Sequence, residues 1–564
     1  MKLKRFSVEN YKVFKKEFTV EFIKDGKDNH CLQNSFNILT GKNNMGKSTF
    51  LEAISEFFKS SSLSNKISNE CFNNSNKNIV FKAEFILNEN DDILKYLNES
   101  YFKEEQSTFN ITIVKEYRLE KKPEYYILNF KKELTKTQIK EIAKLINNKE
   151  PYYIRPHMTT EEIDKIISNI YTDAITSTEY AKEDLNNVNK EVKSFIQKLK
   201  KETDDALSTI EKNVSETLNM LFADQNLKIK ISGGDPNGFS VKDLLKNTDT
   251  KITVSSNQNN EMLLSEQGTG VQRMSLIYTI QNIIGDKVGN LGNRMLLVDE
   301  PEAFLHPEAT RGLSNSLYEI GNKMPIIITT HSPILINLEQ NHTVIDIFKI
   351  DNSNSNAIIL YNSKSNKFDE NDLQNMKILN YVDPYVNEFF FSTKNIIVEG
   401  DTEKMILGYI RKRFNANFHI INARGKSTIQ TIMKILNQFD SEYYVLHDLD
   451  NVNINSSELK KQRTNCYNIL KLKSDDSKIF AIKHTFEAAF YGKTLSNNHK
   501  TEALFKILYE ENNHDDPIRK TILSTFNKIF SLGIDELSFN EEFISKNVLN
   551  IQKQEDIDSQ FNID

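Results

Sequence analysis

Gly41-Lys42-Asn43-Asn44-Met45-Gly46-Lys47-Ser48-Thr49 is the stretch from which the rest of the chain can be read. It fits G-x-x-x-x-G-K-[ST] at every fixed position. The apolar run Phe36-Asn37-Ile38-Leu39-Thr40 precedes it and reads as a short buried strand. After it, Leu51, Ile54, Phe57 and Phe58 share one helical face. Strand, glycine loop and helix is the setting in which this spacing carries chemistry. Gly41 and Gly46 let the backbone wrap, so that consecutive N–H groups, those of Asn43, Asn44 and Thr49 among them, point at phosphate oxygens. The positive end of the helix adds to that field. Lys47 is placed to reach the β- and γ-phosphates, and Ser48 offers a hydroxyl ligand for Mg²⁺. The stretch predicts an ATP site.

Three later segments fit the same site. Leu296-Leu297-Val298-Asp299-Glu300-Pro301-Glu302 is an apolar strand that ends in carboxylates. Asp299 would hold Mg²⁺, directly or through water, and Glu300 would orient or deprotonate the attacking water. Thr330-His331-Ser332-Pro333 follows the buried run Ile326-Ile327-Ile328-Thr329, which puts His331 at a strand end, either as a γ-phosphate sensor or as an ordinary loop histidine. Leu264-Ser265-Glu266-Gln267-Gly268-Thr269-Gly270-Val271-Gln272-Arg273 resembles the ABC signature, in which a serine and glycine backbone cap the γ-phosphate from the opposite subunit. It departs from the usual LSGGQ, and a glycine-rich loop leading into a helix would look the same. Ser265, Gly268 and Gly270 are the candidate capping residues. In this order the pieces resemble the head of the SMC/ABC class, which also opens with a strand pair like the one around Val8-Glu9-Asn10-Tyr11-Lys12-Val13-Phe14. That resemblance implies ATP sandwiched between two heads, hence a homo-oligomer, dimer or tetramer.

A second α/β pattern begins with Asn395-Ile396-Ile397-Val398-Glu399-Gly400-Asp401-Thr402-Glu403, a buried strand leading into an acidic helix start. Tyr443-Tyr444-Val445-Leu446-His447-Asp448-Leu449-Asp450 is another buried strand, ending in Asp-x-Asp. Parallel strands would deliver Glu399, Glu403, Asp448 and Asp450 to one carboxyl-terminal edge. Like charges so gathered repel, and hard oxygen ligands favour Mg²⁺ or Mn²⁺ as the remedy. The pattern resembles the Toprim domain. A head of this kind followed by Toprim resembles the OLD-family endonucleases over nearly the whole chain. Relatives of that family include the nuclease subunit of the Gabija anti-phage system and OLD-type effectors of some retrons. The resemblance implies metal-dependent cleavage or nicking of DNA and a role in anti-phage defence. It further implies a partner such as a helicase-like protein, or a reverse transcriptase with its RNA–DNA product. In the family a later acidic residue and a lysine complete the site. Glu487 in His484-Thr485-Phe486-Glu487 is the acidic match, and Lys500 is preferred to Lys493 as the lysine. Gly425-Lys426 lies between the two Toprim motifs and reads either as a phosphate contact or as a basic turn.

These readings define an α/β chain. Residues 1–385 form an ABC/SMC-type ATPase head with a helical, coiled-coil-like insertion at about 136–222 that serves dimerisation. Residues 390–550 form a Toprim nuclease domain with carboxyl-terminal helices, and 551–564 a polar tail. The insertion rests on Val188, Val192, Ile196 and Leu199, then Leu207, Ile210, Val214, Leu218 and Leu221. Amphipathic helices packed on the same domain give the same pattern. The 564 residues carry 38 % hydrophobic side chains, enough for real cores. The net charge of −6 excludes a globally basic nucleic-acid binder, so a DNA site would be a local basic patch or metal-bridged. Cys31, Cys71 and Cys466 form no CxxC, which argues against structural zinc and a disulfide framework. No apolar run is long enough for a membrane span, and the expected location is cytoplasmic. Two other activities share most of these features: a DNA-repair or DNA-tethering ATPase whose Toprim domain only binds nucleic acid, and a scaffold whose assembly ATP controls. The intact carboxylate set favours the endonuclease.

Overall fold

The computed structural model describes residues 1–564 except 24–35, 60–66, 89–90, 98–107, 129–133, 177–191, 222–225, 233–250, 256–260, 286–293, 338–344, 363–368, 383–385, 393, 438–441, 453, 493–496, 511–515, 538–539 and 562–564. Cys31, Val188 and Lys493 therefore lie outside the described residues. The chain divides into two compact units: Met1–Asn337 with Asn341–Lys364, and Leu338–Gln340 with Ser365–Asp564.

In the first unit, β3 (Phe36–Thr40), β11 (Leu296–Asp299) and β12 (Ile326–Thr329) are buried along their whole length. Strands covered on both faces need continuous apolar runs, and these three have them. With β7 (Tyr152–Ile154), β13 (Ile345–Lys349) and β14 (Ile358–Asn362) they form a sheet of order β14-β13-β3-β12-β11-β7, parallel except for β14. Leu39 and Asp299 both pair with Thr329, so the strands end level with one another. The loops that follow them emerge at one edge.

A second sheet, of order β2-β1-β4-β5-β6, is antiparallel throughout: β1 (Lys2–Glu9), β2 (Phe18–Glu21), β4 (Ile79–Asn88), β5 (Thr108–Tyr117) and β6 (Glu124–Leu128). Its inner face joins the Lys47–Phe58 helix in one aromatic core. Phe50 lies edge-on to Phe6 at 5.5 Å and to Phe18 at 5.9 Å, while Phe14 stacks on Phe18 at 5.0 Å. Lys115, fully buried on β5, donates to the carbonyls of Glu56, Phe57 and Lys59, the open acceptors at the end of that helix.

The expected insertion differs in kind. Within 136–222 the chain forms helices Lys136–Asn147, Thr160–Thr176 and Val192–Leu221, but also β7, an edge strand of the central sheet beside β11. Leu207, Ile210, Val214 and Leu218 are buried, and the polar side of the same helix binds strand β8 (Lys228–Ser232). Ser215 Oγ accepts from the Ile229 amide at 2.8 Å, and Glu211 Oε1 accepts from that of Ile231 at 2.6 Å. The described part is thus an amphipathic helix packed on its own domain. A three- and four-residue apolar period does not say which surface covers it.

In the second unit the sheet order is β16-β15-β17-β18-β19, from β15 (Asn395–Val398), β16 (His419–Asn422), β17 (Tyr443–Asp448), β18 (Lys478–Ile482) and β19 (Val548–Ile551). Only β19 is antiparallel. The unit begins at 365, earlier than the expected 385–390. The Glu370–Val382 helix belongs to it, because Asp372 takes Lys434 Nζ at 2.6 Å and Thr431 Oγ1 at 3.1 Å. Nor are the described residues of the expected polar tail, 551–561, loose. Ile551, Ile557 and Phe561 are buried, the second on a Gln554–Asp558 helix. Three apolar side chains among many charges are enough to dock a segment whose composition reads as polar.

Candidate functional site

Two sites form at the carboxyl edges of the two parallel sheets, one in each unit. In the first unit the loop after β3 turns through Gly41 (φ +141°), Asn44 (φ +63°) and Gly46 (φ +101°). Both glycines are required twice over. A Cβ on Gly41 would lie 2.4 Å from the Ile350 carbonyl oxygen, and one on Gly46 would lie 2.6 Å from Phe14 Cζ. Lys47 folds back over the loop and donates to the carbonyls of Gly41 and Lys42, each at 3.0 Å. Burial lowers its pKa, against the pull of Glu300, Asp299 and Glu302. Ser48 Oγ donates to Asp299 Oδ1 at 2.9 Å, so the two expected Mg²⁺ ligands are already in contact. Burial raises the Asp299 carboxyl, while bonds from Thr329 and Ser48 oppose the rise. Asn43 is exposed and Thr49 half-buried.

Glu300 adopts φ +45°, and its amide donates to Thr329 Oγ1 at 2.9 Å. Glu302 ties the β11 and β12 ends together: its Oε1 accepts from Thr330 Oγ1 at 2.7 Å and from the amides of His331 and Ser332 at 2.9 and 3.1 Å. His331 is half-buried, and burial followed by the Lys47 charge lowers its pKa.

The signature-like segment forms a short 3₁₀ turn, Leu264–Glu266, and then helix Thr269–Gly285. Ser265 Oγ is buried with no hydrogen-bond partner among the described residues. Gln272 secures the loop through the carbonyls of Ser265 and Gln267. A Cβ on Gly268 would meet nothing, whereas one on Gly270 would press on Leu305 and the Phe304 carbonyl.

The sequence motifs assign Arg273 no role of its own. It is 1 % exposed and donates to the carbonyls of Asp299, Glu300 and Ala303. Burial pushes its guanidinium down to about 10, still charged at neutral pH. The signal was available: Arg273 stands in a helix otherwise buried all round, with Met274, Leu276, Ile277 and Ile280 about it. A buried arginine in such a run has to be bonded to something.

In the second unit β15 and β17 are parallel neighbours, with Val398 opposite Leu446. Glu399 and Asp448 leave at the same edge, and Glu399 Oε2 accepts from the Asp448 amide at 3.1 Å. Glu403 opens the helix Asp401–Phe414 and accepts from the Gly400 amide at 3.2 Å; burial pushes it up to about 7, with Glu399 and Glu487 adding. Asp448 is also raised, by burial and then Glu403. Its Oδ2 accepts from the Phe486 amide at 3.0 Å, which brings the segment after β18 to this edge. Glu487, on that segment, is buried and pairs with Lys500 at 2.9 Å. Asp450, at φ +50°, pairs with Lys426 at 2.5 Å. Lys426, whose motif fits a phosphate contact or a basic turn, here binds the carboxylates instead.

Among the described residues no three His, Cys, Asp or Glu side chains converge closely enough to hold a metal ion. The chemistry of the donors nonetheless fits one. Asp448 Oδ1 is buried with no hydrogen-bond partner among the described residues. Burial is the first cause that raises the carboxyls of Glu399, Glu403 and Asp448; Lys426 opposes the rise at Glu399 while Asp450 adds to it, Glu399 adds at Glu403, and Glu403 adds at Asp448. Lys426 offsets part of this charge at Glu399 and Asp450, and clustered hard oxygen donors in excess of their counter-charge are what a small dication satisfies.

Residues 1–336, more than half of the chain, match the AAA ATPase domain. The chain belongs to the AAA ATPase domain family. Beyond the AAA ATPase domain, residues 390–450 match the TOPRIM domain of Overcoming lysogenization defect protein-like proteins. The AAA ATPase chain is 26 % identical to the Old nuclease of Escherichia phage P2 over 47 % of its own length and 47 % of that protein. It is 24 % identical to the OLD nuclease of Thermus scotoductus over 33 % and 36 %. The matched stretches thus span less than half the length of either relative. A Smc head domain with an extended coiled coil, bound to the C-terminal domain of ScpA and derived from Pyrococcus furiosus, superposes with a TM-score of 0.39. The identity is 15 %, over 68 % of this chain and 99 % of that one. Among the described residues no helix is long and apolar enough to cross a membrane.

Proposed function

We propose that this protein is an ATP-binding, metal-dependent DNA endonuclease in which nucleotide state controls cutting. The observation that carries the reading is the buried Asp448 Oδ1, without a hydrogen-bond partner among the described residues, at an edge shared with Glu399, Glu403 and Asp450. Both relatives are named nucleases, which supports the same reading.

Glu399, Glu403, Asp448 and Asp450 would hold Mg²⁺ or Mn²⁺, which supplies Lewis acidity and an activated water when bound. Glu487 and Lys500 act as a pair: the carboxylate is positioned by the lysine, and the ammonium offers positive charge to a phosphodiester. In the AAA ATPase unit, Gly41 to Thr49 wrap the phosphates and Lys47 leaves its two carbonyls for phosphate oxygens. Ser48 and Asp299 would hold Mg²⁺, and Glu300 would orient the attacking water. Ser265, Gly268 and Gly270 cap the nucleotide of a second copy, which makes the working unit a homo-oligomer, dimer or tetramer, joined through the heads. His331 senses the γ-phosphate. Defence against phage, with a helicase-like protein or a reverse transcriptase and its RNA–DNA product as partner, is the role we infer from the family.

A plasmid-nicking assay with Mg²⁺, with Mn²⁺ and with EDTA tests the reading. Cleavage is expected with either metal and none with EDTA. Glu399→Ala is expected to abolish cleavage while ATP still binds; full cleavage by that variant sinks the assignment. ATP is expected to slow cleavage, and an unchanged rate removes the regulatory part.

A further inference from the structure

Lys426 stands at a fixed point of the TOPRIM unit. It opens the helix Lys426–Asn437 directly after Arg424 (φ +57°) and Gly425 (φ +137°), and Asn422 Oδ1 braces this turn by accepting from the Arg424 amide at 3.2 Å. The left-handed pair aims the lysine stem inward, and its side chain is only 4 % exposed. Its Nζ lies 2.5 Å from Asp450 Oδ2, 2.9 Å from Gln462 Oε1 and 3.9 Å from Glu399 Oε2. A buried ammonium therefore sits between the carboxylates at the ends of two neighbouring strands. Asp448, whose amide donates to Glu399 Oε2, keeps one oxygen without a hydrogen-bond partner among the described residues. The ammonium neutralises part of the acidic edge and leaves part of it unmet.

We propose that Lys426 is the internal counter-cation of the metal-free site, and that a divalent cation taken up by Glu399, Asp448 and Asp450 drives the ammonium off the carboxylates toward Gln462. The proposal rests on the metal-dependent reading above. One oxygen cannot serve both cations at close range. A magnesium–oxygen bond of about 2.1 Å would leave the ammonium and the dication separated by a few ångströms of like charge. Without metal, the lysine keeps Glu399 and Asp450 from repelling each other. With metal, it is a competitor already in place, so it lowers affinity. A lysine fixed in place would also lower affinity, but it would not change its own accessibility when metal binds.

The test is Mn²⁺ binding to the nucleotide-free, full-length protein, followed by the electron paramagnetic resonance signal of free Mn²⁺. Asp448→Asn defines which binding belongs to this site. Lys426→Met should bind that Mn²⁺ at least about tenfold tighter than wild type, or about 1.4 kcal/mol. A second measurement needs no variant at Lys426: acylation of wild-type lysines by an amine-reactive ester, read by peptide mass spectrometry. Lys426 should be protected without metal and become reactive at saturating Mg²⁺. Affinity in Lys426→Met equal to or below wild type overturns the proposal alone, as does unchanged labelling of a metal-loaded wild type. Absence of any Asp448-dependent Mn²⁺ binding overturns it together with the metal-dependent reading. Should Lys426→Met fail to fold, the labelling of wild type decides.

Discussion

Replacing Arg273 by methionine would separate nucleotide binding from hydrolysis in the AAA ATPase unit. The arginine donates to the carbonyls of Asp299 and Ala303, each at 2.9 Å, and to that of Glu300. Methionine keeps much of the apolar stem but strands three buried acceptors. Hydrogen bonds from a charged donor are worth about 1.5–3 kcal/mol each, offset by the cost of burying the guanidinium, which leaves a net loss of about 2–4 kcal/mol. The loss falls on the turn that holds Glu300 at φ +45°, a conformation that non-glycine residues keep only when their surroundings enforce it. A displacement of about 1 Å in Glu300, the group proposed to orient the attacking water, costs on the order of 100-fold in rate. The phosphate loop itself is untouched, since Lys47 is held by Gly41 and Lys42. Arg273→Met is therefore expected to bind a fluorescent ATP analogue within about threefold of wild type, under 1 kcal/mol. Its turnover, measured by phosphate release, should fall on the order of 100-fold. Wild-type turnover with unchanged thermal stability would refute the idea that Arg273 holds the Asp299–Ala303 turn.

Glu302→Gln keeps an acceptor for Thr330, His331 and Ser332 while removing a carboxylate that burial raises above 4.5. With a raised folded pKa, the native state holds the proton more tightly than the unfolded state. The carboxyl is therefore tolerated best at low pH and costs stability as pH rises through its folded pKa. Wild type should lose melting temperature relative to Glu302→Gln between about pH 4 and neutrality, and a pH-independent difference would contradict this. Gly46→Ala should lose nucleotide binding, because the left-handed backbone costs an alanine about 1–2 kcal/mol before its Cβ meets Phe14; retained affinity for the fluorescent analogue would count against that geometry. Lys115→Met should lower stability to urea by roughly 2–4 kcal/mol, since three carbonyls at the end of the Lys47–Phe58 helix lose their donor. An unchanged unfolding midpoint would show that those carbonyls find other partners.

The sequence by itself determined the strands and the residues at their ends. Phe36–Thr40, Leu296–Asp299, Ile326–Thr329, Asn395–Val398 and Tyr443–Asp448 are apolar enough to admit only burial on both faces, and their chemistry sits where each run stops. That pattern is local, so it is legible without partners. The loop from Gly41 to Thr49 is local in the same sense, because its spacing encodes backbone shape. Tertiary structure alone decided what meets across the sheets. That Arg273 binds the turn after Asp299, that Glu302 holds the His331 segment, and that Lys426 lies between Glu399 and Asp450 are contacts between residues 24 to 29 positions apart. No periodicity records such pairings. The same limit explains the 136–222 stretch: an amphipathic helix announces an apolar face, while only the folded domain supplies the surface that covers it.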